Sequence, residues 1–250
     1  MTAEIVNHDQ RPELWKRFPE VFDGILPEYN LHGDVMAGYW ERLHEVFGRY
    51  LLALAGPDDE ILATARAIPN SWDGTASGLG PGIDAGIEMG FAIHDAEGEP
   101  DTLCALGIEV APNHQGAGLG TVMLQALRVV AREAGFAQVI VPVRPTWKQR
   151  YPLVPIERYA SWTTAGGLPF DPWLRVQIRA GGALSVPTPR SSLITGTVAD
   201  WESWTRMCFP DSDDYVFPGG LATVRIDRDA DLGTYWEPSV WVVHESGLAR

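Results

Sequence analysis

Apolar residues recur at two spacings along this chain, and the switches between them divide it into elements. Residues 4–7 predict a short first strand. Pro12, at a first-turn position, predicts a helix over 12–21. Val35, Met36, Trp40, Leu43 and Phe47 fall at near-helical intervals, which predicts a helix over 34–47 with Asp34 as its N-cap. Residues 49–55 and 61–68 read as strands, joined into a hairpin by Gly56-Pro57-Asp58-Asp59. Residues 70–81, rich in Gly and Ser, read as a loop carrying Trp72. Over 84–95 the helical spacing of Ile87, Phe91 and His94 competes with partial alternation over 87–93, and the helix is the expected form. A buried strand is expected over 102–110, an amphipathic helix over 119–134 ended by Gly135, and a further strand over 137–143.

Beyond Pro145 the segments shorten, and Pro, Trp and Gly become dense. Strands are expected over 174–178, 193–198, 222–226 and 240–243, with a turn or two of helix over 200–207. No composition break marks a linker. The expectation is therefore one domain over 1–250, with a core over 1–151 and with 152–250 completing and wrapping the sheet.

Composition narrows the possibilities. With 250 residues, 45% of them apolar, the chain can bury a substantial core. Its ten Trp residues either fill that core or line a wide pocket. A net charge of −14 disfavours a broad nucleic-acid face and suits cationic partners such as amines, although it also serves solubility alone. Cys104 and Cys208 stand in no metal-like spacing, and Cys104 lies in an apolar run as a small buried hydrophobe. The six His residues make no HExxH or other ligand pair, so no metal is expected. Asp211-Ser212-Asp213-Asp214 begins like a calcium loop, but Tyr215 and Val216 break it, and it reads as a polar turn. There is no Gly-x-Ser-x-Gly elbow. No basic segment followed by an apolar stretch opens the chain, and no apolar run is long enough for a bilayer. A soluble, cytoplasmic protein with no membrane partner is expected.

The stretch that carries chemistry runs Gly107-Ile108-Glu109-Val110-Ala111-Pro112-Asn113-His114-Gln115-Gly116-Ala117-Gly118-Leu119-Gly120-Thr121. It reads as a strand, a tight glycine loop and a helix N-terminus. Such a loop lets backbone N–H groups converge on an anion, and the helix dipole adds to the attraction. A phosphate loop of the Gly-Lys-Ser/Thr kind is excluded, because no Lys is present. A dinucleotide fingerprint fails because Thr121 stands where the third Gly is needed, and 139–143 holds no acidic ribose partner.

Gln115-x-x-Gly118-x-Gly120, behind a strand ending Val110-x-Pro112, resembles the acyl-CoA motif of the GNAT acyltransferase superfamily. The resemblance covers residues 4–151, and the motif itself 110–121. It implies an α/β (α+β) fold with a mixed, mostly antiparallel sheet, a central splay, flanking helices and here a C-terminal extension. It implies that Gln115, Gly116, Ala117, Gly118, Leu119, Gly120 and Thr121 hold the CoA pyrophosphate. Val110 would pair with the pantetheine arm. The splayed strands would be 102–110 and 137–143. Tyr151 stands where the family often carries a Tyr that protonates the departing thiolate. Arg144-Pro145 and Pro152 depart from the usual Asn and regular helix, so Tyr151 is either that acid or a core aromatic. The phrase Gly166-Gly167-Leu168-Pro169-Phe170-Asp171-Pro172-Trp173-Leu174-Arg175 is similar to a GNAT-like subgroup with long C-terminal extensions.

Acyl transfer to an amine also needs a base, commonly a Glu near the strand ends. Glu109 precedes Val110, although alternation turns it to the opposite face. Glu28, beside Tyr29, and Glu157 are the other candidates, and each can equally be a solvated acid. His114 borders the loop, as a phosphate contact or a plain loop residue. The expected activity is N-acylation of a small-molecule or peptidyl amine by direct attack on acetyl-CoA or another acyl-CoA. A non-catalytic CoA-binding scaffold is the alternative of a different class. A third reading is a transferase using aminoacyl-tRNA, which would need a basic patch from Arg144, Lys148, Arg150 and Arg158.

Overall fold

The computed structural model describes residues 3–248. Among them one sheet of nine strands runs from end to end of the chain. The strands are β1 (Glu4–Asn7), β2 (Leu51–Ala55), β3 (Ile61–Asn70), β4 (Thr102–Val110), β5 (Gln138–Val143), β6 (Ala183–Gly196), β7 (Asp214–Tyr215), β8 (Val224–Asp227) and β9 (Leu232–Glu245). Their order is β1-β2-β3-β4-β5-β9-β8-β7, with β6 also pairing along β9. Only β4 and β5 run parallel. The helices are α1 (Pro12–Trp15), α2 (Phe18–Phe22), α3 (Asp34–Phe47), α4 (Ile83–Asp95), α5 (Leu119–Glu133), α6 (Ile156–Ala160), α7 (Pro172–Arg179) and α8 (Val198–Thr205). This is the mixed, mostly antiparallel α/β architecture that the motif implied.

Strand alternation splits the core in two. Leu103 and Ala105 of β4 face α5, joining Met123, Leu124 and Leu127 with Tyr159 of α6 and Leu174 of α7. Cys104 and Leu106 face the other way, among Leu43 and Phe47 of α3, Ile87 and Phe91 of α4, and Trp241 of β9. Burial pushes the Cys104 thiol up to about 12, so it is inert packing. A third cluster, around Trp201, Phe209, Phe217 and Tyr235, joins α8 and the 209–226 segment to Tyr29.

Four expectations need correction. The helix expected over 12–21 is two short ones, because Pro19 brings no amide to continue the first and sits instead in the first turn of α2. Asp34 is the first residue of α3 rather than its cap, and its carboxylate accepts from Thr195 N and Oγ1, both at 2.8 Å, tying α3 to β6. Residues 174–178 are helical, not extended. Asp171 caps α7, accepting from Trp173 N at 2.9 Å and Leu174 N at 3.2 Å, and Pro172 opens the first turn. That cap and proline outweigh the brief alternation that suggested a strand. The strand expected to reach 198 stops at Gly196, where Thr197 and Asp200 form a capping box that starts α8.

The C-terminal part is tied to the sheet by a buried histidine. His244 of β9 donates from Nε2 to Gln177 Oε1 of α7 at 2.7 Å, and burial pulls its pKa down to about 4. The folded state therefore resists protonating this ring while the unfolded chain accepts the proton near 6.5. Stability is fully present above about pH 6.5 and is lost as pH falls toward 4, by up to about 3 kcal/mol. Urea titrations at stepped pH should show this slope, and H244Q should flatten it over the same window.

Candidate active site

The site begins where the sheet opens. β4 and β5 pair only from Thr102 with Gln138 to Cys104 with Ile140, and they then part, β4 staying paired with β3 and β5 with β9. The divergence starts beside a bulge. Arg66 pairs with Gly107 and Ala67 with Ala105, so Leu106 has no partner on β3. A bulge adds twist and bends the strand, which swings the upper half of β4 away from β5. Backbone groups facing the gap are left without a neighbouring strand.

The glycine loop stands above this gap. Gly116 and Gly118 adopt φ of 80° and 81°, and nothing lies within 4 Å of where either Cβ would sit. These glycines are needed for backbone conformation, not for lack of room. Gly118 is the N-cap of α5. Gln115 Nε2 reaches back to Val110 O at 3.4 Å, bracing the loop on its strand. Among the described residues, the amides of Gly116, Gly118, Leu119 and Gly120 have no hydrogen-bond partner. Four free donors beside a helix N-terminus form a cradle for an anion, and a pyrophosphate fits this donor set. His114 instead pairs with Glu60 at 3.0 Å in the exposed loop.

The C-terminal extension closes on this loop from the α5 side. The Trp173 ring lies 3.1 Å from the place a Gly120 side chain would take, so only glycine lets the two meet closely. Trp173 is aimed by Asp171, which is 1% exposed. Besides capping α7, Asp171 accepts from Trp147 N and the Tyr159 hydroxyl, both at 2.8 Å. Tyr151 stands on the same side, half-buried, with its ring centroid 5.0 Å from Trp162 and 5.9 Å from Phe170. Its hydroxyl has no hydrogen-bond partner among the described residues.

The opposite face carries two ion pairs, one on each arm of the gap. On the β4 arm, Glu109 is buried and paired with Arg66, and it also accepts from Thr64 Oγ1 at 3.1 Å. The Arg66 guanidinium lies 5.3 Å from the Phe18 ring and 5.2 Å from the Trp40 ring. On the β5 arm, Arg144 pairs with Glu237 of β9, and its Nη2 donates to the Tyr29 hydroxyl and Gly219 O, both at 3.0 Å. This cluster fills a defect in the sheet. β5 ends opposite Val240 and β8 begins opposite Thr234, so a short stretch of β9 has no strand on that edge. Lys148, 1% exposed, is buried below it and donates to Tyr151 O at 2.8 Å and Leu221 O at 2.5 Å. Burial brings its pKa down to about 8.

The sequence profile of the Acetyltransferase (GNAT) family matches residues 11–149, more than half of the chain. This chain belongs to the GNAT acetyltransferase family. The arginine N-acetyltransferase avaD of Aspergillus versicolor is 30% identical, over 94% of this chain and 91% of that protein. Two solved structures share the fold at low sequence identity. The loading GNATL domain of CurA from Lyngbya majuscula aligns with a TM-score of 0.58 at 13% identity, covering 98% of each chain. The GphF GNAT-like decarboxylase, solved with isobutyryl-CoA, aligns at 0.57 and 17%, covering 97% of this chain and 99% of that one. The chain is accordingly an acyltransferase of the GNAT N-acetyltransferase type.

Within this GNAT frame the expected site residues separate. Val110 and the 115–121 loop lie together at the mouth of the gap, and Tyr151 lies on their side of the sheet. Glu109 lies on the other face, as alternation required. Glu28 is exposed and bonded to His32 at 3.1 Å, and Glu157 is exposed on α6. Neither is drawn into the buried networks around the gap. Of the four basic residues that the aminoacyl-tRNA reading needs, Lys148 is buried and Arg144 is paired with Glu237, while Arg150 and Arg158 are exposed. Arg66, Asp171 and Trp173 had not been singled out. For Asp171 the signal was present as Asp-Pro before an apolar run. For Trp173 and Arg66 only the folded chain reveals the neighbour.

Proposed function

We propose that this enzyme transfers an acyl group from acetyl-CoA or a similar acyl-CoA to the amine of a small, amino-acid-like acceptor. The observation that carries the reading is the set of unpartnered amides at Gly116, Gly118, Leu119 and Gly120, standing over the gap between β4 and β5. These amides would hold the diphosphate, and Val110 would offer its free edge to the pantetheine arm. The CoA thioester supplies the activated acyl group. The amine then has to arrive from the face opposite α5, since the loop side is taken. On that face Glu109 can accept from an ammonium with its remaining lone pairs. The arginine substrate named for the Aspergillus versicolor relative agrees with a cationic acceptor.

The position of Tyr151, on the CoA side with an unengaged hydroxyl, supports its assignment as the acid that protonates the leaving thiolate. Y151F should lower kcat by about 10- to 100-fold and leave the KM for acyl-CoA nearly unchanged. A KM change with kcat intact would instead make Tyr151 part of the wall. Glu28 and Glu157 have no role in this reading. Thiol release from acetyl-CoA over a panel of amines tests the function as a whole. Binding of CoA with no thiol released for any amine would favour the non-catalytic scaffold.

A further inference from the structure

The Arg144 cluster has an unused edge. Its Nε is taken by Glu237 and its Nη2 by Tyr29 and Gly219. Nη1 has no partner among the described residues and is not among the buried polar atoms that lack one, while the side chain remains a quarter exposed. The guanidinium is thus clamped on one edge, with two N–H donors left facing solvent. The clamp also fixes the direction of that edge. Glu237 lies on β9, on one side of β5, and the gap toward β4 lies on the other. Nη1 is the nitrogen turned away from Glu237. Alternation places Arg144 on the same face as Ile140, which is the face opposite α5. A fixed cation with spare donors, beside the gap of a chain whose net charge is −14, is a selective feature.

We propose that Arg144 is the anchor for a carboxylate on the acceptor, so that the preferred substrate carries both an amine and an acid. This deepens the transferase reading and rests on it. The cationic end would meet the Glu109 arm of the gap and the anionic end the Arg144 arm. Tyr29, Gly219 and Glu237 hold the guanidinium in place before the acceptor arrives, so little ordering is required on binding. Arg144 acts here on specificity and takes no part in the bond changes.

The test compares acceptors that differ only at the acid: an amino acid, its amide and its decarboxylated amine, for example arginine, argininamide and agmatine, with lysine and cadaverine beside them. Thiol release is followed at saturating acetyl-CoA. The wild type should show a KM about 10- to 100-fold lower for the free acids, with kcat changed far less. R144Q is made together with E237Q, so that no buried carboxylate is stranded. It should raise the KM for the acids to that of the amides and leave the KM of the amines unmoved, and R144K should recover part of the difference. If the double variant does not fold, the wild-type series still decides. Equal KM values for acid, amide and amine on the wild type would overturn the anchor and leave the transferase reading standing. Acetyl-CoA binding by calorimetry with no thiol released from any acceptor would overturn both.

Discussion

Replacing Gly118 with Val is expected to raise the dissociation constant for acyl-CoA more than about 100-fold while the protein still folds. Gly118 holds φ at 81° as the N-cap of α5. A β-branched residue in that region carries a penalty of about 1–3 kcal/mol. The chain relieves it by rotating the peptide, which turns the neighbouring amides out of their common direction. Hydrogen bonds to a charged group contribute about 1.5–3 kcal/mol each, so losing two of the four is enough for the expected change. The thermal cost should be modest, because the loop is on the surface and the α5 core is untouched. Calorimetric titration with acetyl-CoA measures the effect, and G118A should fall between variant and wild type. An unaltered affinity in G118V would place the diphosphate somewhere other than this loop.

The second large effect is on stability. D171A should lose about 5 kcal/mol, a large part of what a domain of this size has. The carboxylate is 1% exposed and accepts from Trp147 N, Tyr159 Oη, Trp173 N and Leu174 N. Alanine removes a helix cap and leaves these donors, several of them buried, without a partner. D171N should recover part of the loss, since an amide oxygen still accepts, although the Asn Nδ2 group then faces a donor. Because Asp171 aims Trp173 at Gly120, D171A should also weaken acyl-CoA binding even where it remains folded. Urea denaturation gives the first number and calorimetry below the transition gives the second. A loss below about 1 kcal/mol would mean that water replaces the carboxylate at all four donors.

What could be read in advance follows the range of the interactions involved. The glycine loop, its strand and its helix are local in sequence and legible from spacing, while the role of Gln115 to Thr121 is what the resemblance to the GNAT motif implies. The hairpin of β2 and β3 was legible because its turn is adjacent. The Pro19 break and the α7 cap are equally local, but apolar spacing alone does not reveal them, since they lie in proline and cap chemistry. The remaining features join distant parts of the chain. Arg66 meets Glu109 across a bulged register, and Arg144 meets Glu237 in a defect that exists only because β5 and β8 stop short of each other. No periodicity encodes such a meeting. The acidic candidates Glu28 and Glu157 show the converse, since nearness in sequence to a plausible pocket did not carry their carboxylates into a network.

The stretch 197–231 leaves β6 at Gly196 and rejoins β9 beside Gly233, two positions paired with each other in the sheet. It brings a largely separate cluster around Trp201 and Phe209, and it meets the rest of the chain through Tyr29, His32, Arg144 and Lys148. A segment exchanged there must replace the carbonyls of Gly219 and Leu221 that hold Arg144 and Lys148, and it leaves the diphosphate cradle as it is. A chimera cut at Gly196 and Gly233 exchanges one excursion between two neighbouring strands and leaves the glycine loop in place.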